Sequence, residues 1–215
     1  MPSGSIARAA ARAGLALALL LAPTPARGQV TVEYFMGSAL NVPTPLTISQ
    51  TGFPEISLTA DYAVRPLDDR MYYALRVGFW KEDTGWLVEL LHHKLYLENP
   101  PPEVGAFEVT HGYNMVTINR GWRLGPYVLL AGAGPVIPHS NSVVRGQERS
   151  IDAPYTLAGV AAQGAVARQL QFTSWLFGSL EGKITAGWVR VPVADGDAAV
   201  PNVAFHFLAG IGVRF

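Results

Sequence analysis

Five histidines and a small set of acids, bases and hydroxyls are the side chains with which this chain could do chemistry. His92 and His93 are adjacent, so on a strand they point to opposite faces and cannot both hold one ion without a bulge. His111, His139 and His206 fall on other segments. A set such as His93, Glu108 and His206 has ligand chemistry but no ligand spacing, so neither a metal nor any other cofactor is expected. His139-Ser140-Asn141-Ser142 places an imidazole beside two hydroxyls, with Glu148 and Asp152 nearby. A serine nucleophile needs an imidazole within hydrogen-bond reach and a third group to orient it. His139, Ser140 and Ser142 are therefore the candidates for acyl chemistry, although Pro138 to Arg145 also has the composition of an ordinary polar loop. Cysteine is absent, which excludes disulfides, zinc-thiolate sites and cysteine nucleophiles.

These groups have to be positioned by strands. Ile56, Leu58, Ala60, Tyr62 and Val64 share one face, opposite Ser57, Thr59, Asp61 and Arg65. Tyr73, Leu75, Val77 and Phe79 oppose Arg76. Leu180, Ile184, Ala186 and Trp188 oppose Glu181, Lys183 and Thr185. Val203 to Phe215 alternates likewise, with His206 and Arg214 on the polar side. Residues 86–97, 106–119 and 124–137 are mixed but strand-like, and residues 155–168 are too rich in Ala and Gly to assign faces. Residues 31–37 and 45–50 are weaker candidates, the second because of Pro43 and Pro45.

The chain has 215 residues, 49% hydrophobic and only 15% charged, which excludes a disordered polymer. Its 16 basic and 16 acidic residues balance, so nothing points to nucleic acid. Arg8 and Arg12 precede an apolar run from Leu15 to Ala22, too short to span a bilayer, and Ala26-Arg27-Gly28 supplies small residues for cleavage. A signal peptide over residues 1–28 is expected. Its removal takes three arginines and no acid, so 16 bases become 13 and the net charge falls to −3.

Short connections at 82–85, 120–123 and 169–171 alternate with longer ones at 98–105, 138–153 and 191–201. Short turns at one end and long loops at the other fit an all-β, antiparallel, up-and-down transmembrane barrel of about eight strands, or ten if both N-terminal candidates join. In the eight-strand reading Ile56 opens the barrel, and residues 29–50 form an N-terminal hairpin or plug. Trp80, Trp86, Trp122 and Trp175 fall beside the short turns, and Tyr62, Tyr72, Tyr73, Tyr96 and Tyr155 near the long loops, as interfacial girdles would. With a leader, alternating strands and a last strand running Phe207, Ala209, Ile211, Val213 to a terminal Phe215, the chain resembles small bacterial outer-membrane β-barrels of the OmpA/OmpW/OmpX type. The resemblance implies export to the outer membrane, contact with its lipid and lipopolysaccharide, and Phe215 as the signal read by the barrel-assembly machinery. It leaves the external partner open.

Within such a barrel Asp61, Arg76, Glu89, His93, Glu108, Thr110, Asn114, Glu181, Lys183, His206 and Arg214 are expected inside. They would form either a salt-bridged plug or an ion or ligand path, since buried charges must be paired. The same parity sends Phe107, Val109, His111 and Tyr113 towards lipid. Lys94, Arg145 and Arg149 are candidates for lipopolysaccharide phosphates. The leading functional expectation is a structural, surface-interacting or narrow-pore barrel that is not an enzyme. The alternative implied by the resemblance is a lipid A acyl hydrolase or transferase using His139 with Ser140 or Ser142.

Overall fold

The computed structural model describes residues 28–68, 71–149 and 157–215, without the side chains of Thr110 and His111. The leader, Asp152, Tyr155 and the faces of Thr110 and His111 lie outside these. The strands in chain order are β1 (Gly28–Val42), β2 (Thr44–Gln50), β3 (Ile56–Ala60), β4 (Tyr62–Ala63), β5 (Tyr73–Lys81), β6 (Thr84–Leu97), β7 (Val104–Leu124), β8 (Tyr127–Pro138), β9 (Asn141–Val144), β10 (Gln147–Arg149), β11 (Gly159–Gln171), β12 (Leu176–Val193) and β13 (Gly196–Arg214).

Eight of them form a ring. β1, β5, β6, β7, β8, β11, β12 and β13 each pair antiparallel with the next, and β13 pairs back onto β1 from Thr31↔Arg214 to Val42↔Val203. The Val30 and Phe215 main chains exchange both hydrogen bonds, at 3.3 and 2.9 Å, and seal the seam to its end. The chain is thus an up-and-down β-barrel of eight strands. Residues 28–42 are a stave of that barrel and not part of a hairpin or plug. Ile56–Ala60 is not the first stave: β3 pairs only with β2, and β2 leans on β13 at residues 196–199. The β1 segment is legible as a strand only where Thr31, Glu33 and Phe35 turn inward against Tyr34 and Met36.

At one end the connections are tight. Glu82-Asp83 joins β5 to β6 and Gly125-Pro126 joins β7 to β8, with φ of 54° at Glu82 and 60° at Gly125. The run 120–123, read as a turn, is strand, and the turn after β11 lies at 172–175 rather than 169–171. At the other end β12 and β13 run on, paired to Val193↔Gly196, around Ala194-Asp195. Residues 191–201 are therefore a long strand hairpin, not a loop. With β2, β3, β9 and β10 this hairpin builds a sheet extension beyond the ring.

Polarity reverses along single strands. In the lower part of β12, Leu180, Ile184 and Trp188 are exposed while Glu181, Lys183 and Thr185 are buried; above, Arg190 is exposed while Val189, Val191 and Val193 are buried. β13 does the same: Phe205, Phe207 and Ile211 face out around inward His206, but Ala198 and Val200 face in further up. The lower ring is apolar outside and polar inside, and the upper part has the polarity of a water-soluble barrel. The interior is layered accordingly. Trp80, Leu87, Val128, Leu130, Ala165 and Ala167 fill the short-turn end, a charged layer follows, and Leu46, Ile48, Tyr62, Val104, Phe107, Val109 and Val200 belong to the upper core. This corrects the faces assigned to Phe107, Val109 and Tyr113, which point inward: the upper core needs them. Trp80, Tyr62 and Tyr72 are likewise interior, so of the four tryptophans beside the short turns Trp86, Trp122 and Trp175 are the exposed ones.

A left-handed conformation at a non-glycine residue costs about 1 kcal/mol or more. Glu82→Gly should therefore raise unfolding stability by about 1 kcal/mol, read from the urea midpoint of the refolded barrel, without changing the slope.

Candidate functional site

The charged layer is the most elaborate group of side chains in the molecule. Its positions are dictated by pleat: Glu33 on β1, Arg76 on β5, Glu89 on β6, Glu181 and Lys183 on β12 all fall on the inward parity of adjoining staves. The Arg76 guanidinium donates from Nε to Glu89 Oε2 at 2.6 Å and from Nη2 to Glu181 Oε1 at 2.8 Å, and Glu33 Oε1 lies 4.0 Å from Nη1. Its flat face rests on the Phe35 ring, 4.6 Å from the centroid. Lys183 Nζ pairs with Glu89, and with Glu181 Oε1 at 3.3 Å. Gln163 Nε2 reaches Glu89 Oε1, Thr117 Oγ1 and Asn119 Oδ1 at 3.1, 3.0 and 2.8 Å, and Ser179 Oγ donates to Glu33 Oε2 at 3.1 Å. Bidentate and charge-assisted contacts of this kind are the strong ones, and they offset the cost of taking ions out of water.

A second polar group sits immediately above. Tyr72 Oη lies 2.5 Å from His206 Nδ1, and Thr185 Oγ1 lies 2.8 Å from His206 Nε2. His93 Nε2–H donates to Asn41 Oδ1 at 3.0 Å, the oxygen that also accepts from Asn202 Nδ2 at 2.9 Å. The His93 and His206 rings meet edge to face, centroids 5.1 Å apart. Both histidines are buried.

Of the residues assigned to the interior network, Arg76, Glu89, Glu181 and Lys183 come together, with His93 and His206 beside them. Asp61, Glu108 and Asn114 do not join. Asp61 is exposed in the extension, where its N–H donates to Asn99 Oδ1 at 2.9 Å. Glu108 lies on the outward parity of β7, accepting from Asn141 Nδ2 at 3.4 Å. Asn114 also faces outward, pairing its Oδ1 with His92 Nδ1 at 2.7 Å. The set His93, Glu108 and His206 is therefore not assembled, and no group of three or more potential ligands occurs among the described residues. Arg214 turns inward at the short-turn mouth, away from the network. Ser142 is buried on the inward parity of β9 with Val144, opposite Phe107, so it does not face surrounding lipid; Ser140 and His139 lie between β8 and β9. Two of the three cations proposed for lipopolysaccharide are engaged by the protein itself. Lys94 Nζ donates to the carbonyls of Arg65 and Asp68, and Arg145 donates to Gln50 Oε1 and Pro54 O, both at 2.7 Å.

Sequence reasoning missed Glu33, Gln163, Thr117, Asn119 and Tyr72, and put Ser179 on the polar face of its strand without assigning it to the network. A signal existed for two of them. Thr31 and Glu33 alternate with apolar neighbours, and Gln163 is the one polar side chain between Gly159 and Ala167.

No protein-family model and no curated protein matches the chain. Among solved structures it is similar to small outer-membrane proteins. Outer membrane protein AlkL, solved by solid-state NMR in DMPC bilayers, is 9% identical, with 88% of this chain and 90% of that one covered and a TM-score of 0.46. OprG from Pseudomonas aeruginosa is 9% identical, with 87% and 96% covered and a TM-score of 0.42. The attachment invasion locus protein Ail of Yersinia pestis is 11% identical, with 87% and 97% covered and a TM-score of 0.40.

Arg76 is the shared counter-ion of the carboxylates. Arg76→Met should destabilise the barrel by about 3–5 kcal/mol, and Arg76→Met with Glu181→Met should recover a large part of that, because a lone buried charge costs more than a missing pair. A double-mutant cycle by urea unfolding checks both. Tyr72→Phe should cost about 1–2 kcal/mol by leaving a buried imidazole nitrogen without its hydroxyl.

Proposed function

We propose that this protein is an integral barrel of the bacterial outer membrane, exported with loss of its leader. Its role is structural or surface-interacting and is exercised by the strands that stand above the bilayer. The observation that carries this reading is the polarity reversal along β12 and β13. Exposed apolar side chains encircle the lower ring, among them Tyr34, Leu75, Phe79, Trp86, Ile118, Val166, Ile184 and Phe207. No aqueous domain gains from such a belt. At about 3.3 Å per residue and a tilt of about 40°, the stretch Leu176 to Trp188 rises about 30 Å, the thickness of a bilayer core.

The lumen supports the rest of the reading. Between the Trp80 layer and the upper core, the ion pairs of Arg76 and Lys183 occupy the axis, and an eight-stranded barrel is only wide enough for side chains to fill it. A wide pore does not fit this packing. The inward position of Ser142 gives no support to lipid A acyl chemistry. What remains available is the upper sheet, whose β2–β3 tip carries Phe53, half exposed, beneath the Arg145 guanidinium.

The mature protein should fractionate with outer membranes and migrate faster on gels when unboiled; recovery as a monodisperse protein without detergent would overturn the proposal. In planar bilayers it should produce no stable porin-sized openings. Ile184→Arg should cost about 2–4 kcal/mol in lipid vesicles, whereas Arg190→Leu, two steps above Trp188, should change stability by less than about 0.5 kcal/mol.

A further inference from the structure

The short-turn mouth holds two guanidiniums that the charged layer does not use. Arg123, near the end of β7, and Arg214, at the end of β13, both point into the barrel. Their main chains are fixed by the turns: Arg123 N–H donates to Asp83 O at 2.7 Å and Arg214 N–H to Trp175 O at 2.8 Å. Each side chain lies flat on an inward aromatic ring, Arg123 over Trp80 at 4.2 Å and Arg214 over Phe177 at 4.5 Å. Each makes one hydrogen bond to a neutral glutamine, Arg123 Nη2 to Gln29 Oε1 at 2.6 Å and Arg214 Nη2 to Gln169 Oε1 at 3.4 Å. Neither forms an ion pair among the described residues. The Nε atom of each is buried and lacks a hydrogen-bond partner.

A guanidinium has five donors, and an unsatisfied buried donor is costly. The Arg123 side chain reaches across the mouth from β7 to Gln29 of β1, two residues before Thr31, the register partner of Arg214, so both guanidiniums share this end of the lumen. Of the neighbouring acids, Glu33 is already shared with Arg76 and Ser179, and the Asp83 carboxylate forms no ion pair with either arginine. Aromatic stacking fixes the orientation of both planes, so the forks are preorganised for an acceptor that sits between them. Tetrahedral oxyanions match that geometry, with several oxygens to take paired N–H donors from two sides.

We propose that Arg123 and Arg214 form an oxyanion site at the short-turn mouth of the barrel, taking a phosphate group. Two sources share this chemistry: a soluble phosphate entering the mouth, and the headgroup phosphate of a lipid at the rim. The site is separate from the upper sheet, and its existence does not depend on what that sheet contacts.

The full mature chain is refolded in a maltoside detergent without phosphate groups, and the arginine Nε–H resonances are followed by NMR. Inorganic phosphate added at constant ionic strength against chloride should shift the Arg123 and Arg214 signals saturably. Arg123→Gln or Arg214→Gln should weaken this by about tenfold or more, the loss expected for a charge-assisted hydrogen bond. The lysine variants, which keep charge without the fork, should restore only part of it. A parallel sample in phosphatidylglycerol nanodiscs without free phosphate identifies the source: signals already shifted there assign the lipid, and signals that move only with added phosphate assign the soluble ion. No saturable shift in either medium, or equal shifts in the glutamine variants, overturns the site. The gel shift of unboiled protein, measured on every variant, shows that the barrel has formed, so a loss of binding is not mistaken for a loss of fold.

Discussion

The seam between β1 and β13 is the constraint on which everything else rests. A strand surrounded by lipid has no water to satisfy its main chain, so each N–H and C=O needs a neighbouring strand. A sheet meets this demand only by closing, and here closure requires the first stave to find the last. The register is continuous from Thr31↔Arg214 to Val42↔Val203 and ends in the reciprocal Val30 and Phe215 bonds. Slipping that register by one residue would turn Glu33 to the outside and Tyr34 to the inside. The apolar belt and the charged layer are thus both consequences of one alignment.

Closure also explains why a charged core can exist. Arg76, Lys183 and three glutamates would be costly in a soluble sheet open on one side, where apolar packing of similar volume commonly does as well or better. In the lower ring the outward parity is taken by exposed apolar side chains, and the inward parity can be polar if its members satisfy one another. Apolar layers above and below shield them from water, which strengthens each ion pair and raises the penalty for removing one partner. Polar pairing thus gives the ring a specific registry, while the upper core supplies ordinary hydrophobic stability.

The sequence revealed the alternating strands and the shared inward face of Arg76 and Glu89, because period two and short turns are local signals; its count of eight included Ile56–Val64 in place of residues 28–42. It did not reveal where the polarity reverses. Glu108 and Asn114 were placed inside on the rule that polar side chains fill the lumen, yet on β7 that rule applies only below the upper core, where Thr117 and Asn119 obey it. Higher up, Phe107 and Val109 face inward. Phe107, Val109, Tyr113, Thr117 and Asn119 keep one inward parity through the irregular pairing between His93 and Leu95, where β7 carries two extra residues and Gly112 adopts a φ of 116°. Residues 28–42 were misplaced for a related reason: their alternation is interrupted by Gly37-Ser38, and only partners far along the chain identify them as a stave.

The distribution of satisfied and unsatisfied groups bears on function. In the charged layer the principal donors and acceptors are engaged by several partners each, as rigid packing requires. Unpartnered capacity occurs at both ends of the barrel, besides the buried Oε1 of Gln163 and Nδ1 of His93 between them. At the upper end it takes the form of a sheet with exposed edges and the Phe53 tip. At the lower end it is the pair of orphaned Nε donors on Arg123 and Arg214. The ion pairs of Arg76 and Lys183 and the apolar layers on either side of them separate these ends. This is the division that the proposed anchoring role of the wall requires.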